Sequence, residues 1–196
     1  MTKVTNFTKS RRALSVLLGA LLLGLAVYIG MRLIGRGAGA YDFTLTDQDG
    51  RPFHLADERG HAVAIFFGYT RCPDICPATL AHLASARRAM GASGQATRVL
   101  FITVDPARDT PGRLKVYLAR FDPSFVGLTG TQAQLAPVYR AYHIWYEALP
   151  KNPHQLEQLE AHTSTIWIMN GSGRPAGFAD WSDSTAVLAR DLQAAS

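Results

Sequence analysis

Two uninterrupted runs of apolar, β-favouring residues constrain the fold of this chain more than any other feature. They are HAVAIFFGY at residues 61–69 and RVLFITVD at residues 98–105. A strand without alternation of apolar and polar residues is covered on both faces, as in a sheet with helices packed on each side. Each run is followed by a helical pattern, from about residue 77 to 90 and from residue 111 onward. The sequence therefore predicts an α/β domain with a central mixed sheet.

Shorter patterns place further elements around this sheet. They predict a hairpin around Asp49-Gly50, a helix over residues 131–142, a strand pair around the turn at residues 170–173 and a terminal helix over residues 182–194. Thr110 followed by Pro111 is typical of a helix start. The nearby carboxylates of Asp105 and Asp109 are attributed to capping and turn chemistry rather than to acid-base catalysis.

An uncharged segment near the N-terminus predicts a membrane anchor. Residues 13–31 carry no charge, and as a helix they would span roughly 28 Å, close to the thickness of a bilayer core. More basic residues precede this run than follow it, which places the N-terminus in the cytoplasm. A cleavable signal peptide is the alternative, because residues 38–40 have the small-x-small form of a cleavage site. The length of the run and the arginines after it favour an uncleaved anchor.

These patterns divide the chain into four parts. The predicted parts are a cytoplasmic N-terminus at residues 1–12, a transmembrane anchor at 13–34, a linker at 35–40 and an exported domain at 41–196. The net charge of +5 comes from residues 1–36, which hold six basic and no acidic side chains. The exported domain is close to neutral and has no basic cluster, so nucleic-acid binding is excluded.

The two cysteines of the chain, Cys72 and Cys76, lie four positions apart directly after the first buried run. A junction of strand and helix lies at the carboxyl edge of the sheet, where open α/β sheets bind their ligands. The helix N-terminus and the neighbouring Arg71 are expected to lower the pKa of the thiols. Three roles are open for the pair: a structural disulfide, a redox-active dithiol or part of a metal site.

The spacing of the cysteines favours the metal site. Redox dithiols of the thioredoxin type have two residues between the cysteines, whereas this chain has three. Side chains four positions apart on one helical turn lie about 5–6 Å apart, so both thiolates can hold one ion. A disulfide remains geometrically allowed, but across so short a loop it would constrain the unfolded chain little.

His162 is the candidate third ligand, because it lies at the start of a predicted buried strand far downstream of the cysteines. Two thiolates and one imidazole form a soft, low-coordinate set that suits copper, whereas zinc normally takes a fourth ligand. A hydrogen-bonding loop histidine is the alternative for His162. We interpret His54, His61 and His82 as surface groups.

Three motifs together resemble the Sco/SenC family of copper-binding assembly proteins: FFGYTRCPDICP, ITVDPARDTPGRLKVYLARFDPSFVGLTG and HTS before a strand. The resemblance covers nearly all of residues 41–195. It implies a thioredoxin-like fold tethered by one N-terminal span, with Cys72, Cys76 and His162 as copper ligands. It further implies an inner-membrane protein with its soluble domain in the periplasm.

The resemblance also implies a function and partners. Family members assist assembly of the dinuclear CuA centre of cytochrome c oxidase, by delivering copper to the copper-receiving subunit or by reducing its cysteines. Another copper chaperone is the implied candidate donor. The alternative function is that of a thiol-disulfide oxidoreductase, with Cys72 as the attacking thiolate and Cys76 as the resolving thiol. The lack of a proline around residues 162–164 counts against general disulfide exchange.

Two features depart from the family pattern. The residue before the ligand histidine is commonly Asp, and here it is Ala161. An acidic neighbour can orient an imidazole ligand and tune its basicity, so metal affinity or redox behaviour is expected to differ. Residues 144–160 also lack the expected Tyr-rich stretch before the histidine.

Overall fold

The computed structural model describes residues 39–144 and 164–196, together with the single residue Gly24. These ranges contain seven strands, five α-helices and one 3-10 helix. In chain order the elements are β1 (Thr44–Asp47), β2 (Pro52–His54), the 3-10 helix (Leu55–Glu58), β3 (Val63–Gly68), α1 (Ile75–Ala89), α2 (Ala92–Ala96), β4 (Arg98–Thr103), α3 (Pro111–Leu118), β5 (Val126–Thr129), α4 (Gln132–Ala141), β6 (Ile166–Met169), β7 (Pro175–Ala179) and α5 (Thr185–Ala194).

The described strands form one mixed sheet in the order β2-β1-β5-β4-β3-β6-β7. The three central strands β5, β4 and β3 are parallel, and every other pairing is antiparallel. Parallel neighbours need a crossover connection, which α1 and α3 supply. The N-terminal hairpin β1–β2 extends one edge of this parallel centre, and the hairpin β6–β7 extends the other. The predicted mixed α/β sheet with an N-terminal hairpin is therefore confirmed.

Helices cover both faces of the central strands, as the two apolar runs predicted. Every residue of β3 is buried, and only the first residue of β4 is partly exposed. Phe101 of β4 packs on one face, against Tyr117 of α3, and α1 and α5 contact each other. Phe67 of β3 points to the other face, where it packs against Tyr139 of α4. Successive side chains of a strand alternate between faces, so a strand covered on both sides is apolar at nearly every position.

Helix α3 begins as the sequence predicted. The Thr110 side chain accepts a hydrogen bond from the Arg113 N–H, and Pro111 occupies the first helical position, where its missing N–H is of no consequence. The prediction that Asp109 serves in capping is wrong. Its carboxylate is fully buried and accepts hydrogen bonds from Thr70 and Thr103 instead.

Three short elements were not predicted: β5, α2 and the 3-10 helix. Strand β5 has four residues, one of them glycine, which is too short and irregular for a clear pattern. Its strand geometry is set by parallel pairing with β4, in which Leu100 pairs with Val126. The predicted strand pair around residues 170–173 and the terminal helix are confirmed as β6, β7 and α5.

The segment predicted to cross the membrane, residues 13–34, lies outside the described residues except for Gly24. Among the helices of the described part of the chain, none is both long enough and apolar enough to span a bilayer.

Candidate metal centre

Cys72 and Cys76 lie side by side where β3 ends and α1 begins, and both are free thiols. Cys72 is half-buried in the turn before α1, whereas Cys76 is buried in the first turn of the helix. The expectation that both lie on one helical turn is therefore wrong for Cys72. The turn nevertheless brings its sulfur to 3.3 Å from the Cys76 backbone nitrogen, which donates a hydrogen bond to it. The Cys72 sulfur thus accepts from an N–H that has no acceptor within the helix.

The pKa values of the two thiols are shifted in opposite directions. Hydrogen bonds lower the pKa of Cys72 to about 6, the strongest from the Cys76 thiol and others from the N–H groups of Cys76 and Asp74 and from the Tyr69 side chain. The pKa of Cys76 is raised, first because its thiol donates a hydrogen bond to Cys72, and also because it is buried and lies near the negative charge of Cys72. One proton is therefore shared by the pair at neutral pH, with the negative charge on the more exposed sulfur. Hydrogen bonds, rather than the charge of the exposed Arg71, dominate the effect on Cys72.

Tyr69 is a buried donor that the sequence did not reveal. Its hydroxyl hydrogen-bonds to Cys72. Burial, followed by the charges of Cys72 and Cys76, raises the pKa of Tyr69 to about 12. The hydroxyl therefore keeps its proton at neutral pH and remains a donor to the Cys72 sulfur.

Gly68, the last residue of β3, leaves room for the buried sulfur. A Cβ atom at this position would lie 2.9 Å from Cys76 Sγ and 2.8 Å from Phe101 Cε2. Both distances are shorter than non-bonded carbon and sulfur atoms adopt. The Cys76 thiol is therefore seated directly against the sheet, and only glycine permits this approach.

The turn that carries Cys72 is tied to the next strand by the buried carboxylate of Asp109. Its Oδ2 atom accepts hydrogen bonds from the Thr70 N–H at 3.0 Å and from the Thr103 hydroxyl at 2.7 Å, and its Oδ1 accepts from the Thr70 hydroxyl at 2.6 Å. The Arg113 guanidinium donates to the Thr70 hydroxyl oxygen at 2.7 Å and lies 4.0 Å from the carboxylate. This arrangement fixes the backbone two residues before Cys72.

The sequence contains a signal for this network. Thr70 and Asp109 follow the two buried runs and Thr103 lies near the end of the second, and the carboxyl ends of parallel strands meet at one edge of a sheet. Asp105, also assigned to turn chemistry, forms an ion pair with Arg108 in the turn after β4. Its role as a turn residue agrees with the structure.

The third predicted ligand, His162, and its neighbour Ala161 lie outside the described residues. In the described ranges, no group of three or more His, Cys, Asp or Glu side chains could hold a metal ion. Cys72 and Cys76 are thus the described part of the predicted site. His54 is exposed and bonded to Thr44, as a surface group would be.

His82 does not fit its interpretation as a surface group. It is half-buried on α1, and its Nδ1 atom is buried without a hydrogen-bond partner among the described residues. The helical pattern identified the element but not how far this side chain lies under its neighbours.

The donor set suits a soft metal ion. Two sulfurs lie at one sheet edge, one of them charged at neutral pH and reachable from solvent, and thiolates favour Cu(I) over hard cations. The same closeness permits the two sulfurs to join as a disulfide on oxidation. Only the reduced pair offers thiolate ligands, because the sulfurs of a disulfide carry no negative charge.

Comparison with known proteins identifies a family. Residues 34–196 match the family model described as SCO1/SenC. The bovine protein SCO2 homolog, mitochondrial, is 41% identical over 137 residues, which is 69% of this chain and 51% of that protein. This chain therefore spans about half the length of that relative.

Solved structures of proteins at least 30% identical to this chain share its fold. The structure of Bradyrhizobium japonicum ScoI with copper bound has a TM-score of 0.71 and 35% identity, and covers 79% of this chain and 98% of that one. Yeast Sco1 with copper bound has a TM-score of 0.71 and 30% identity, and covers 77% and 84%. The predicted thioredoxin-like Sco fold of the domain is confirmed.

The lowered pKa of Cys72 predicts how its alkylation rate depends on pH. In the reduced, metal-free chain, we expect the rate of Cys72 alkylation by iodoacetamide to rise through pH about 6 and to level off above it, because only the thiolate reacts. Cys76 should remain largely unmodified. Peptide mass spectrometry after reaction between pH 5 and 9 measures both. A Cys72 rate that rises only above pH 8 would contradict the assignment.

Replacing Asp109 with Asn tests the buried carboxylate. The amide nitrogen cannot accept a hydrogen bond, so at least one of the Thr70 and Thr103 donors loses its acceptor. We expect the free energy of unfolding to fall by about 1–3 kcal/mol and Cys76 to become easier to alkylate. Urea unfolding of the reduced chain measures the first effect. Asp49→Asn, which removes a surface pair with Lys115, is the control and should leave both unchanged.

Proposed function

Because this chain belongs to the SCO1/SenC family, we propose that it binds copper and assists assembly of the CuA centre of cytochrome c oxidase. Its cargo is one copper ion, held by the thiolates of Cys72 and Cys76 and the imidazole of His162. The observation that carries the proposal is the pair of free, adjacent thiols at the carboxyl edge of the sheet, with the pKa of Cys72 lowered to about 6. Copper is bound in the related ScoI and Sco1 structures.

The chemistry of the pair supports transfer as well as binding. Cys72 is half-buried and Cys76 is buried, so of these two sulfurs Cys72 is the one that a receiving protein reaches first. Ligands then exchange one at a time, with Cys76 the last to release the ion. The partner that accepts copper is the copper-receiving subunit of cytochrome c oxidase, and the donor is another copper chaperone.

A second function, thiol-disulfide exchange, is favoured by the inequality of the thiols. The Cys72 thiolate attacks a target disulfide, forms a mixed disulfide and releases one target thiolate, which takes up a proton. Cys76 then loses its proton and attacks the Cys72 sulfur. The second target thiol leaves, and Cys72 and Cys76 remain joined as a disulfide. The target has then gained the two electrons that this pair lost.

We also propose that residues 13–34 anchor the chain in the inner membrane, with residues 41–196 in the periplasm. The uncharged run and the basic residues before it support this orientation. The periplasm is an oxidising compartment, where Cys72 and Cys76 form a disulfide unless a reductant keeps them as thiols. Copper binding by this pair therefore depends on its redox state.

Copper titration tests the ligand assignment. The reduced, metal-free, full-length chain in detergent is titrated with Cu(I) against a competing chelator, and we expect one equivalent to bind. Cys72→Ser, Cys76→Ser and His162→Ala should each weaken binding by at least about tenfold. His54→Ala, which alters an exposed histidine, is the matched control and should bind as the parent does. Undiminished binding by His162→Ala would show that its assignment as a ligand is wrong.

A parallel assay separates the two functions. The same preparations are mixed with a model disulfide and a reductant that regenerates the thiols. Turnover of the disulfide by a chain that binds no stoichiometric copper would favour the oxidoreductase over the copper carrier.

Labelling in spheroplasts tests the location. A membrane-impermeant maleimide should label the reduced chain without lysis, and the Cys72→Ser/Cys76→Ser double variant should stay unlabelled because it has no other thiol. The chain should also remain in the membrane pellet after carbonate washing. Labelling that requires lysis would place the domain in the cytoplasm instead.

A further inference from the structure

Three arginines lie on the two chain segments that border Cys72, and we call them the arginine rim: Arg71, Arg108 and Arg113. Arg71 directly precedes Cys72, and the other two follow β4, which pairs in parallel with β3. The carboxyl ends of parallel strands meet at one edge of a sheet, so the fold brings both segments there. The sequence shows no basic cluster because these arginines come from separate segments.

Arg113 is joined directly to the turn that carries Cys72. Its Nε atom donates a hydrogen bond to the Thr70 hydroxyl oxygen at 2.7 Å. Thr70 lies two residues before Cys72, so their Cα atoms are at most about 7.6 Å apart. The Arg113 side chain is 49% exposed, and its two Nη groups have no partner among the described residues. A guanidinium carries five N–H donors, so most of those of Arg113 are available beside the site.

The carboxylates near these arginines are mostly buried. Arg71 is exposed, and its side chain has no hydrogen-bond or ion-pair partner in the described part of the chain. Arg108 pairs with Asp105, which is 8% exposed, and Asp109 is 0% exposed. On these two segments, all of whose residues the structure describes, only the carboxylate of Asp74 is exposed. An approaching molecule therefore meets guanidinium groups before it meets most of the carboxylates.

Exposed apolar side chains lie beside the arginine rim. Ile75, the first residue of α1, is 37% exposed, and Val116 of α3 is 72% exposed. Val116 lies three positions after Arg113, so the two side chains share one face of the helix. Arginine and apolar side chains are the groups that contribute most at protein–protein interfaces. The surface around Cys72 thus has the composition of a docking surface.

We propose that the arginine rim binds carboxylates of the partner protein that approaches Cys72, so the partner carries an acidic segment next to its own cysteines or copper ligands. The inference rests on the proposed function, in which a partner must reach Cys72, and it adds the chemical class of the partner's surface. Arg71 and Arg113 hold the free guanidinium groups, and guanidinium binds carboxylate in a bidentate manner. An anionic lipid surface fits less well, because it offers Cys72 neither a thiol nor a metal ligand.

Thiol-disulfide exchange with two matched peptides tests the inference without copper. Each peptide has one cysteine activated by a thiopyridyl group, flanked by glutamates in one peptide and by glutamines in the other. The Cys72 thiolate of the reduced, metal-free, full-length chain in detergent attacks the peptide sulfur. The S–S bond breaks, and the pyridine-2-thiolate that leaves takes up a proton, so its absorbance gives the rate. Both peptides react with the same thiolate, so its ionised fraction and its nucleophilicity cancel in the ratio of the glutamate rate to the glutamine rate.

We expect Arg71→Gln to lower this ratio about twofold in 0.01 M salt and Arg71→Gln/Arg113→Gln to lower it about fourfold, because a charge about 8 Å away changes a rate in water by about twofold. The differences should vanish in 1 M salt, where the Debye length falls from about 30 to about 3 Å. Arg113→Lys keeps the charge and should keep the ratio of the parent. A low ratio in Arg113→Lys would assign the effect to the hydrogen bond with Thr70 and overturn the inference.

Arg174→Gln is the matched control for Arg71→Gln. Arg174 is exposed and lies in the turn before β7. This turn is at the amino end of β3, because Met169 of β6 pairs with Val63, whereas Cys72 follows the carboxyl end of β3. The control should leave the ratio unchanged. An equal decrease in Arg174→Gln would trace the effect to net charge and overturn the inference.

The remaining outcomes separate this inference from its alternatives. Equal ratios for the parent and the double arginine variant would overturn it and leave the proposed copper function standing. A ratio that rises in Glu157→Gln/Glu160→Gln would show that acidic residues of this chain occupy the arginine rim, which also overturns it. The same holds if discs of anionic lipid, but not of neutral lipid, abolish the effect of the arginine variants. A reduced parent chain that binds no copper and reacts with neither peptide would overturn the proposed functions and this inference with them.

Discussion

The structure around the two thiols depends on one buried carboxylate. Asp109 joins the turn after β3 to the end of β4 through Thr70 and Thr103, and it is completely shielded from solvent. Among the described residues, its hydrogen-bond donors are Thr70, in the turn between β3 and α1, and Thr103, the last residue of β4. Because a buried carboxylate is tolerated only when its oxygens are hydrogen-bonded, the turn has one geometry in which the carboxylate is satisfied. That geometry holds Cys72 beside the first turn of α1.

The cysteines then acquire different properties from the same local structure. The sulfur before the helix accepts hydrogen bonds and carries charge, whereas the sulfur inside the helix is pressed against Gly68 and keeps its proton. This inequality is useful for either proposed chemistry, because the half-buried thiolate meets a partner first and the buried thiol acts second. The Tyr69 hydroxyl adds to this difference, because it donates a hydrogen bond to the half-buried Cys72 sulfur.

Much of the fold could be read from the sequence, for physical reasons that particular residues illustrate. The apolar runs of β3 and β4 exclude every arrangement in which those strands face water, and Thr110-Pro111 marks a helix start by local hydrogen bonding alone. Strand β5 was missed because its four residues become a strand only by pairing with β4. The position of Cys72 was misjudged because helical spacing was assumed across a turn. His162 remains a prediction from the sequence.

The sequence by itself determined that two thiols follow a buried strand at the edge of an α/β sheet, because periodicity and spacing are local properties of the chain. Only the tertiary structure decided which groups act on those thiols. Asp109 lies 37 positions from Cys72 in the sequence, and its local pattern is that of a turn residue although its carboxylate binds Thr70. The partners of a buried polar group are set by packing between distant elements, and that packing is not encoded in any short pattern of residues.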